Sequence, residues 1–345
     1  MLLMLSILGC TPGANDSAAP PVDVVTRLTA AGPFSVGYVE DAVTYPSPTG
    51  ERTLRLALWY PSDATSGGSA SAGLYVAGPD VYAHAAVAPG RFPVAVFSHG
   101  HQGYAENSGF LMEHLASHGW IVAAPDHTGN TTFDGSERTT EIYFERPLDI
   151  SAVIDTLPSI TPVGGSVADG PVLALGHSFG GYTMFGLAGG AYDPSLCPAD
   201  GSYCSTMTED WATLFAAGFL DDRVGAFVAM AAGDYDLFGA AGLAAIDRPF
   251  LHLTASEDQG PGSEGDTIWA GLDDGDDVGV ILDGGGHQSF TDYADVLEDV
   301  TLAATEGFRI VDAFVLAWGE RMLGEDDAAG VLDGDISVSD AAVLR

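Results

Sequence analysis

The stretch "GHSFGGY", Gly176 to Tyr182, constrains the fold more than any other part of the chain. It directly follows the apolar run Val172 to Leu175, and its Gly-x-Ser-x-Gly pattern around Ser178 occurs once in the sequence. A serine between a buried strand and a helix can be presented on a sharp turn whose neighbours must be small, because strand and helix approach closely. The pattern predicts a nucleophile at a strand-to-helix junction. The alternative is an ordinary turn in a chain with 45 glycines.

Short apolar runs alternate with longer amphipathic ones along the chain. Helices are predicted from Glu106 to about His118 and over "ERPLDISAVIDTL". Strands are predicted at "FSVGYVEDAVTY", "RTLRLALWYP", "FPVAVFSHG", Trp120–Ala124, Val172–Leu175, "VGAFVAMAA", "PFLHLTA" and "VGVILDGG". Near-continuous apolar strands are typical of a parallel sheet that is covered on both faces. The order predicts an α/β fold with a mostly parallel sheet and helices on both faces.

Composition limits the partners of such a domain. The 345 residues, 46% of them hydrophobic, are enough for one large α/β domain with a deep core. The formal net charge is −37, and all 11 basic residues are arginine. Such a surface repels nucleic-acid phosphates and anionic lipid headgroups, so we expect neither as a partner.

The N-terminus resembles the end of a bacterial lipoprotein signal. Residues 1–9 are apolar and precede Cys10, the predicted lipidation site, although no Lys or Arg precedes the apolar run. The alternative is a frayed apolar tail. We expect a flexible linker over residues 10–31, a catalytic domain over 32–323 and an acidic tail over 324–345. A lipoprotein signal predicts an extracytoplasmic protein, held on a cell-envelope membrane or secreted.

Two further cysteines, Cys197 and Cys204, flank the turn-rich segment "CPADGSYC". In an exported protein, thiols this close in sequence oxidise to a disulfide, and that is the prediction. A metal pair is the alternative, but two thiols without neighbouring histidines make a poor zinc site.

A serine nucleophile needs a base, and His287 in "LDGGGHQSF" is the candidate among nine histidines. It follows the last predicted strand on a glycine-rich loop, where such bases lie. His177 adjoins the serine but is expected to point away from it. His114 and His118 lie four residues apart on a helix without a third metal ligand, and His252 within a strand is expected to be a satisfied core residue.

The carboxylate that orients this base must follow a strand between the serine and the histidine in the chain. Asp258, in "RPFLHLTASEDQGPG", meets that requirement and is the predicted acid. Asp234 and Asp236, after the preceding strand, are the alternatives. Glu257 is expected to face the other way.

The negative charge that develops in acyl transfer needs backbone donors. One is the N–H of Phe179, at the start of the helix after the serine. The other is predicted to be the N–H of His101 in "FSHGHQG", with Gly100 allowing the turn and His99 bracing it.

The motifs "FSHGHQG", "LASHGWIVAAPDH", "RPLDISAVIDTL", "GHSFGGY" and "GGHQSF" together resemble those of α/β-hydrolases related to platelet-activating-factor acetylhydrolase, a group with bacterial proteins described as dienelactone hydrolases. The resemblance covers about Gly32 to Leu323. It implies an α/β-hydrolase fold and a serine carboxylesterase with Ser178 as nucleophile, His287 as base and His101 and Phe179 as backbone donors. True dienelactone hydrolases use cysteine, so the serine argues against that activity. In the eukaryotic acetylhydrolases the acid follows the preceding strand, where this chain has Ala229, and this difference favours Asp258.

The expected function is therefore hydrolysis of small or lipid-like carboxylic esters through an acyl-enzyme, without a cofactor. Bacterial polyester hydrolases share "LASHG" and the serine turn, so polymeric esters are the alternative substrate. A non-catalytic surface protein is the alternative from another class. Asp333, Asp335 and Asp340 in "LDGDISVSD" resemble part of a calcium loop, but the closing Glu of the twelve-residue pattern is missing.

Overall fold

The computed structural model describes residues 23–135, 138–196, 207–233, 235–272 and 275–345. Twelve strands lie in the described part of the chain: β1 (Ser35–Ser47), β2 (Gly50–Ser62), β3 (Ser71–Ala72), β4 (Tyr75–Val76), β5 (Val81–Ala83), β6 (Val94–Ser98), β7 (Ile121–Pro125), β8 (Val172–His177), β9 (Val224–Met230), β10 (Phe250–Ala255), β11 (Val278–Leu282) and β12 (Ala342–Leu344).

Ten α-helices accompany them in the same ranges: α1 (Val24–Thr29), α2 (Gly109–Ser117), α3 (Thr140–Thr156), α4 (Phe179–Leu187), α5 (Glu209–Ala217), α6 (Gly239–Leu243), α7 (Gly265–Gly271), α8 (Ala294–Leu297), α9 (Ala304–Met322) and α10 (Ala329–Leu332). Short 3-10 helices span Leu157–Ser159, Gly164–Ser166, Pro194–Leu196, Pro261–Glu264 and His287–Phe290. None of these helices is long and apolar enough to cross a membrane.

Ten of the strands form one sheet in the order β12-β11-β10-β9-β8-β6-β7-β2-β1-β5. The six from β7 to β11 in this order are mutually parallel. The long hairpin of β1 and β2 joins them antiparallel at β7, and β12 closes the other edge antiparallel to β11. The predicted mostly parallel sheet is confirmed. Because parallel strands end at the same edge, the loops after β6, β8, β10 and β11 gather at one end of the sheet.

Each face of the sheet has its own hydrophobic core. Side chains alternate along β6, so Ala95 and Phe97 pack towards α2 and α9, whereas Val94 and Val96 pack towards α3 and α4. The five residues of β6 and the five of β7 are all buried. This double cover explains why the central strands are near-continuous apolar runs in the sequence.

The segment before the predicted domain is partly ordered, which corrects the flexible linker predicted over residues 10–31. α1 begins after Asp23, whose carboxylate accepts from the backbone N–H of Thr26 and caps the helix. Leu28 is fully buried against the core, and Arg27 forms an ion pair with Glu320 on α9. Burial of one leucine and this ion pair fix a helix that composition did not indicate. Cys10 lies outside the described residues.

The prediction of a separate acidic tail over residues 324–345 is wrong. Val331, Leu332 and Val338 are buried in the core beside α9, and β12 adds a strand to the central sheet. Arg309 donates to the carbonyl of Val338 at 2.5 Å. The prediction of a separate tail rested on the many acids of this segment, but its apolar residues determine where it packs.

Helix α2 starts later than predicted, at Gly109 instead of Glu106. Glu106 is fully buried, and its carboxylate pairs with Arg55 and accepts from the hydroxyl of Tyr38. Burying this charge requires those partners in a geometry that a helical position does not supply. The helix instead starts where Asp292, from the loop after His287, accepts from the N–H groups of Gly109 and Phe110.

Candidate active site

Ser178 stands alone between β8 and α4, on a turn of unusual backbone geometry. Its φ is 55° and its ψ is −117°, a left-handed conformation that costs free energy for a residue with a side chain. A Cβ at Gly176 would lie 2.1 Å from the carbonyl oxygen of Gly180, and one at Gly180 would lie 1.9 Å from that of Ser98. The two glycines of the motif therefore permit the close packing of strand, turn and helix.

Three side chains from different loops meet at this turn. The Oγ of Ser178 lies 2.9 Å from Nε2 of His287. The Nδ1 of the same ring lies 2.9 Å from Oδ2 of Asp258. Because a carboxylate only accepts, the proton of the neutral ring is on Nδ1, and Nε2 presents a lone pair to the serine hydroxyl. This arrangement can take a proton from Ser178 and stabilise the resulting imidazolium.

The loop after β10 is built to hold Asp258. Its side chain is fully buried, and its Oδ1 accepts from the N–H of Gly260 at 2.7 Å. A Cβ at Gly262 would lie 2.0 Å from Oδ2, so this glycine allows the loop to close over the carboxylate. The segment "GPG" after Asp258, which the sequence indicated only as a turn, therefore also allows the loop to close over the carboxylate.

The other acids weighed from the sequence have different positions. Glu257 faces away as expected, because its carboxylate accepts from the backbone N–H of Thr301 at 3.0 Å. Asp236 lies in the loop between β9 and α6, and Asp234 lies outside the described residues. Of the three aspartates considered, the structure therefore brings Asp258 to His287.

The backbone of His287 is held on both sides. The ring of His177 donates from Nε2 to the carbonyl of His287 at 2.9 Å. The carboxylate of Glu298 accepts from the N–H of Gln288 at 2.7 Å. Burial, and then the charge of the neighbouring His287, lower the pKa of His177 to about 3, so this ring stays neutral. Its bond to the carbonyl makes His177 a support for His287, a role that was missed from the sequence.

The loop after β6 packs directly against the serine. A Cβ at Gly100 would lie 3.2 Å from Cβ of Ser178. The N–H of His127 donates to Nε2 of His99 at 3.0 Å, so the proton of His99 is on Nδ1, which donates to the carbonyl of Gly100 at 2.7 Å. In a planar trans peptide the C=O and N–H point in opposite directions. With the Gly100 carbonyl held by His99, the N–H of His101 is turned to the other side.

Ser178 opens into a cavity of about 430 Å³, a size typical of small-molecule sites. His101, His287 and Gln288 line it near the serine, and Leu74, Val296 and Leu297 form an apolar wall farther out. These three apolar side chains are 59%, 74% and 62% exposed, so the wall continues to the protein surface. Phe179 begins α4, and the first N–H groups of a helix have no partner within the helix.

Comparison with solved structures decides the fold. A ferulic acid esterase from Streptomyces cinnamoneus superimposes with a TM-score of 0.64 over 92% of this chain and 98% of that chain, at 20% sequence identity. The protein has the α/β-hydrolase fold. A family model described as chlorophyllase matches residues 75–199, less than half of the chain. No protein of curated function matches the sequence.

The structure contains a second Ser-His-Asp arrangement behind the first. Ser98 Oγ lies 2.9 Å from Nε2 of His127, and His127 Nδ1 lies 2.8 Å from Oδ2 of Asp149. All three residues are completely buried. Asp149 also accepts two bonds from Arg52, at 2.7 and 3.0 Å. A substrate cannot reach Ser98, so this set is a structural network, and exposure distinguishes it from the set around Ser178.

The sequence did not indicate this network, because Ser98, His127 and Asp149 lie in three separate motifs and nothing local links them. Burial, and then the positive charge of Arg146, hold the pKa of both His99 and His127 well below its usual range. Both rings are therefore neutral, and for His99 the bond that Nε2 accepts from the N–H of His127 requires the same. The position of His127 just after β7 was a signal in the sequence, but nothing there pointed to its partners Ser98 and Asp149.

The remaining histidines do not form a metal site among the described residues. His118 contacts the carbonyl of Ala30 at 3.0 Å, and burial lowers the pKa of His114 to about 3. Asp333, Asp335 and Asp340 also belong to no metal-binding group in the described ranges.

His252 on β10 differs from expectation. It is fully buried, as predicted, but neither ring nitrogen has a hydrogen-bond partner in the described part of the chain. The ring lies parallel to that of Trp269, with an interplanar angle of 4°. The prediction of a satisfied core histidine is therefore wrong: the ring is held by packing, and the described residues around its edge offer neither nitrogen a polar partner.

This histidine gives a testable dependence of stability on pH. Burial, and then the charge of Arg345, lower the pKa of His252 to about 3, against an ordinary value of 6.5. Between pH 6.5 and pH 5 the unfolded chain binds a proton there and the folded chain does not. Lowering the pH from 6.5 to 5 therefore reduces the free energy of unfolding by about 2 kcal/mol through this residue alone.

We expect His252→Leu to remove that loss of stability on acidification. Its free energy of unfolding at pH 7.5 should equal or exceed that of the unmodified protein, because two unsatisfied nitrogens are removed. Urea unfolding of both proteins at pH 7.5 and pH 5 measures the difference. Equal losses of stability in the two proteins would show that His252 is not the group that titrates.

Proposed function

We propose that the protein is a serine carboxylic ester hydrolase that acts through an acyl-enzyme. The observation that carries this proposal is the pair of 2.9 Å distances that link Ser178 to His287 and His287 to Asp258 on a strained, glycine-flanked turn. The chlorophyllase family model and the ferulic acid esterase structure are both consistent with ester hydrolysis. The narrower relationship to platelet-activating-factor acetylhydrolase stays a prediction.

In the proposed reaction, Nε2 of His287 takes the proton of the Ser178 hydroxyl as Oγ attacks the ester carbonyl carbon. The carbonyl oxygen becomes an oxyanion that accepts from the N–H groups of Phe179 and His101. Each such donor contributes about 3 kcal/mol to lowering the barrier. The imidazolium then gives its proton to the leaving alcohol, and the acyl group remains on Ser178.

Hydrolysis of the acyl-enzyme repeats these steps with water as the nucleophile. His287 takes a proton from the water molecule, whose oxygen attacks the acyl carbon. The tetrahedral intermediate collapses as Ser178 leaves and recovers its proton from the same ring. One ester and one water give one acid and one alcohol, without a cofactor. Activity requires a neutral His287 ring, because a protonated imidazole cannot accept the serine proton.

For the substrate we propose small or lipid-like esters. The cavity beside Ser178 has an apolar wall of Leu74, Val296 and Leu297, which suits an apolar chain. Polymeric esters are the alternative, since this wall is open to the surface. Hydrolysis rates of p-nitrophenyl esters of increasing chain length, a phospholipid and a polyester film distinguish these substrates. A protein that releases product only from the film would contradict the first choice.

A fluorophosphonate probe tests the enzyme class directly. It should add covalently to the purified protein, and peptide mapping should find the adduct on Ser178, because only an activated serine attacks the probe quickly. Prior incubation with a p-nitrophenyl ester should slow the labelling. An unlabelled protein, or an adduct on another residue, would refute the proposal.

The export of the protein is a further proposal that rests on the sequence alone. Cys10, Cys197 and Cys204 all lie outside the described residues. We propose lipid attachment at Cys10, a disulfide between Cys197 and Cys204, and a location outside the cytoplasm. Mass spectrometry of the protein from its own cells tests all three through the N-terminal peptide and the unreduced peptide map. An N-terminal peptide that begins at Met1, together with two free thiols, would contradict them.

A further inference from the structure

One arginine connects three segments around the candidate active site. Arg146 on α3 is completely buried. Its Nη2 donates to the carbonyl of His99, and its Nη1 donates to Oδ1 of Asn130 at 2.8 Å. Its Nε donates to Oγ1 of Thr183 on α4 at 3.3 Å. The guanidinium therefore binds the loop after β6, the loop after β7 and the helix that follows Ser178.

The same guanidinium lies over the ring of Phe179, 4.6 Å from its centroid. A cation over an aromatic face is attracted by the electron density of the ring. Phe179 supplies one of the two backbone donors in the proposed mechanism. Arg146 thus contacts the side chain of Phe179, one of the two donor residues. It also binds the carbonyl of His99, two residues before His101, whose N–H is the other donor.

The contact with Asn130 determines the tautomer of the His101 ring, because each hydrogen bond between Arg146 and that ring has only one possible direction. A guanidinium has only donors, so the atom of Asn130 that faces Arg146 must be the carbonyl oxygen. The amide nitrogen of Asn130 then faces Nδ1 of His101, at 2.9 Å. Because an amide nitrogen only donates, Nδ1 of His101 must carry a lone pair. The neutral ring of His101 is therefore protonated on Nε2.

We propose that Arg146 is a positioning residue for the two backbone donors, His101 and Phe179, and that Asn130 transmits its orientation to the ring of His101. The inference rests on the proposed ester hydrolase function. The His99 carbonyl is held by Arg146 and the Gly100 carbonyl by the His99 ring, so both peptides before His101 are fixed. A fixed donor costs no reorganisation when negative charge develops on the substrate oxygen.

Kinetics of Arg146→Gln and Arg146→Lys test the positioning. We expect kcat of Arg146→Gln to fall by about 100-fold, as when one oxyanion donor is lost, with KM changed less than about threefold. Affinity for a boronic acid that mimics the tetrahedral intermediate should fall in parallel with kcat/KM. Lysine keeps the charge but cannot form the fork of bonds, so Arg146→Lys should recover only part of the loss.

The matched control is Arg52→Gln. Arg52 is a second arginine of the same buried network and binds Asp149 and Glu145 through ion pairs. Its loss should lower the melting temperature but change boronic acid affinity by less than about threefold, because no contact to the Ser178 turn is removed. Equal losses of boronic acid affinity in Arg52→Gln and Arg146→Gln would overturn the positioning role. Unchanged kcat and affinity in a folded Arg146→Gln would do the same.

The ring of His101 gives a readout that does not depend on activity. In the unmodified protein, ¹⁵N chemical shifts of the His101 ring should show an unprotonated Nδ1 and a protonated Nε2. In Asn130→Ala, which leaves Arg146 in place, this pattern should change to a mixture of tautomers. A protonated Nδ1 in the unmodified protein would contradict the inference. Should no ester be hydrolysed, the proposed function fails on its own, while the chemical shifts still test the arrangement of Arg146, Asn130 and His101.

Discussion

Ser178→Ala is expected to lower kcat/KM for any ester substrate by about 10⁶-fold, the scale seen when a serine nucleophile of this kind is removed. The methyl side chain cannot attack the carbonyl, whereas the cavity and the backbone donors stay in place. KM or the Kd of a substrate analogue should therefore change little. Steady-state hydrolysis of p-nitrophenyl esters, with active-site titration of the unmodified protein, measures the ratio.

Ser98→Ala is the matched control for that experiment. Ser98 has the same hydrogen-bond pattern to a His-Asp pair but is completely buried. Because the Oγ atom of Ser98 contacts His127, Thr183 and Arg146, we expect its removal to cost about 2 kcal/mol of stability and at most about tenfold in activity. The double variant Ser178→Ala/His287→Ala should be no slower than Ser178→Ala alone, because the two residues act as a unit. A large loss in Ser98→Ala with an active Ser178→Ala would mean that the wrong serine was assigned.

Asp258→Asn is the second large effect, with kcat expected to fall by about 10⁴-fold. The carboxylate accepts the Nδ1 proton of His287 at 2.9 Å and would stabilise the imidazolium that forms during attack. An amide in its place carries no charge and can donate to Nδ1, which favours the tautomer that cannot accept the serine proton. The loss should appear in kcat and kcat/KM to similar degrees.

Asp236→Asn and Asp234→Asn are the controls for the acid, since both were alternatives from the sequence. Each should retain activity within about threefold, because the proposed mechanism assigns neither carboxylate a role. Near-ultraviolet circular dichroism of each variant checks that the fold is intact. Activity lost in either control but kept in Asp258→Asn would transfer the acid to the loop after β9.

Much of the fold follows from short-range patterns in the sequence. The apolar runs that become β6, β8, β9, β10 and β11 are each bounded by turn residues, so period and length identify them as strands. The confirmed α/β-hydrolase architecture follows because buried parallel strands require helices on both faces. The N-terminal helix and the closing strand β12 were missed. Both are short, and long-range contacts with α9 and β11 hold them more than local propensity does.

The functional residues divide in the same way. The turn around Ser178 was recognisable because Gly176 and Gly180 must be small for local steric reasons. The supports were not recognisable as a unit: His127, Arg146 and Asp149 stand in separate motifs, and only packing joins them to one another and to Asn130. All four are buried and hydrogen-bonded inside the core, where an unsatisfied group costs free energy.

The sequence by itself determined a parallel sheet with a serine at one strand end, because strand periodicity and the glycine turn depend on residues adjacent in the chain. Only the tertiary structure decided which imidazole reaches that serine and which carboxylate reaches that imidazole. His287 lies 109 residues from Ser178 and 29 from Asp258, so their meeting depends on the order of strands in the sheet. The tertiary structure also decided which of two similar Ser-His-Asp sets opens to substrate, because exposure is a property of the packed chain.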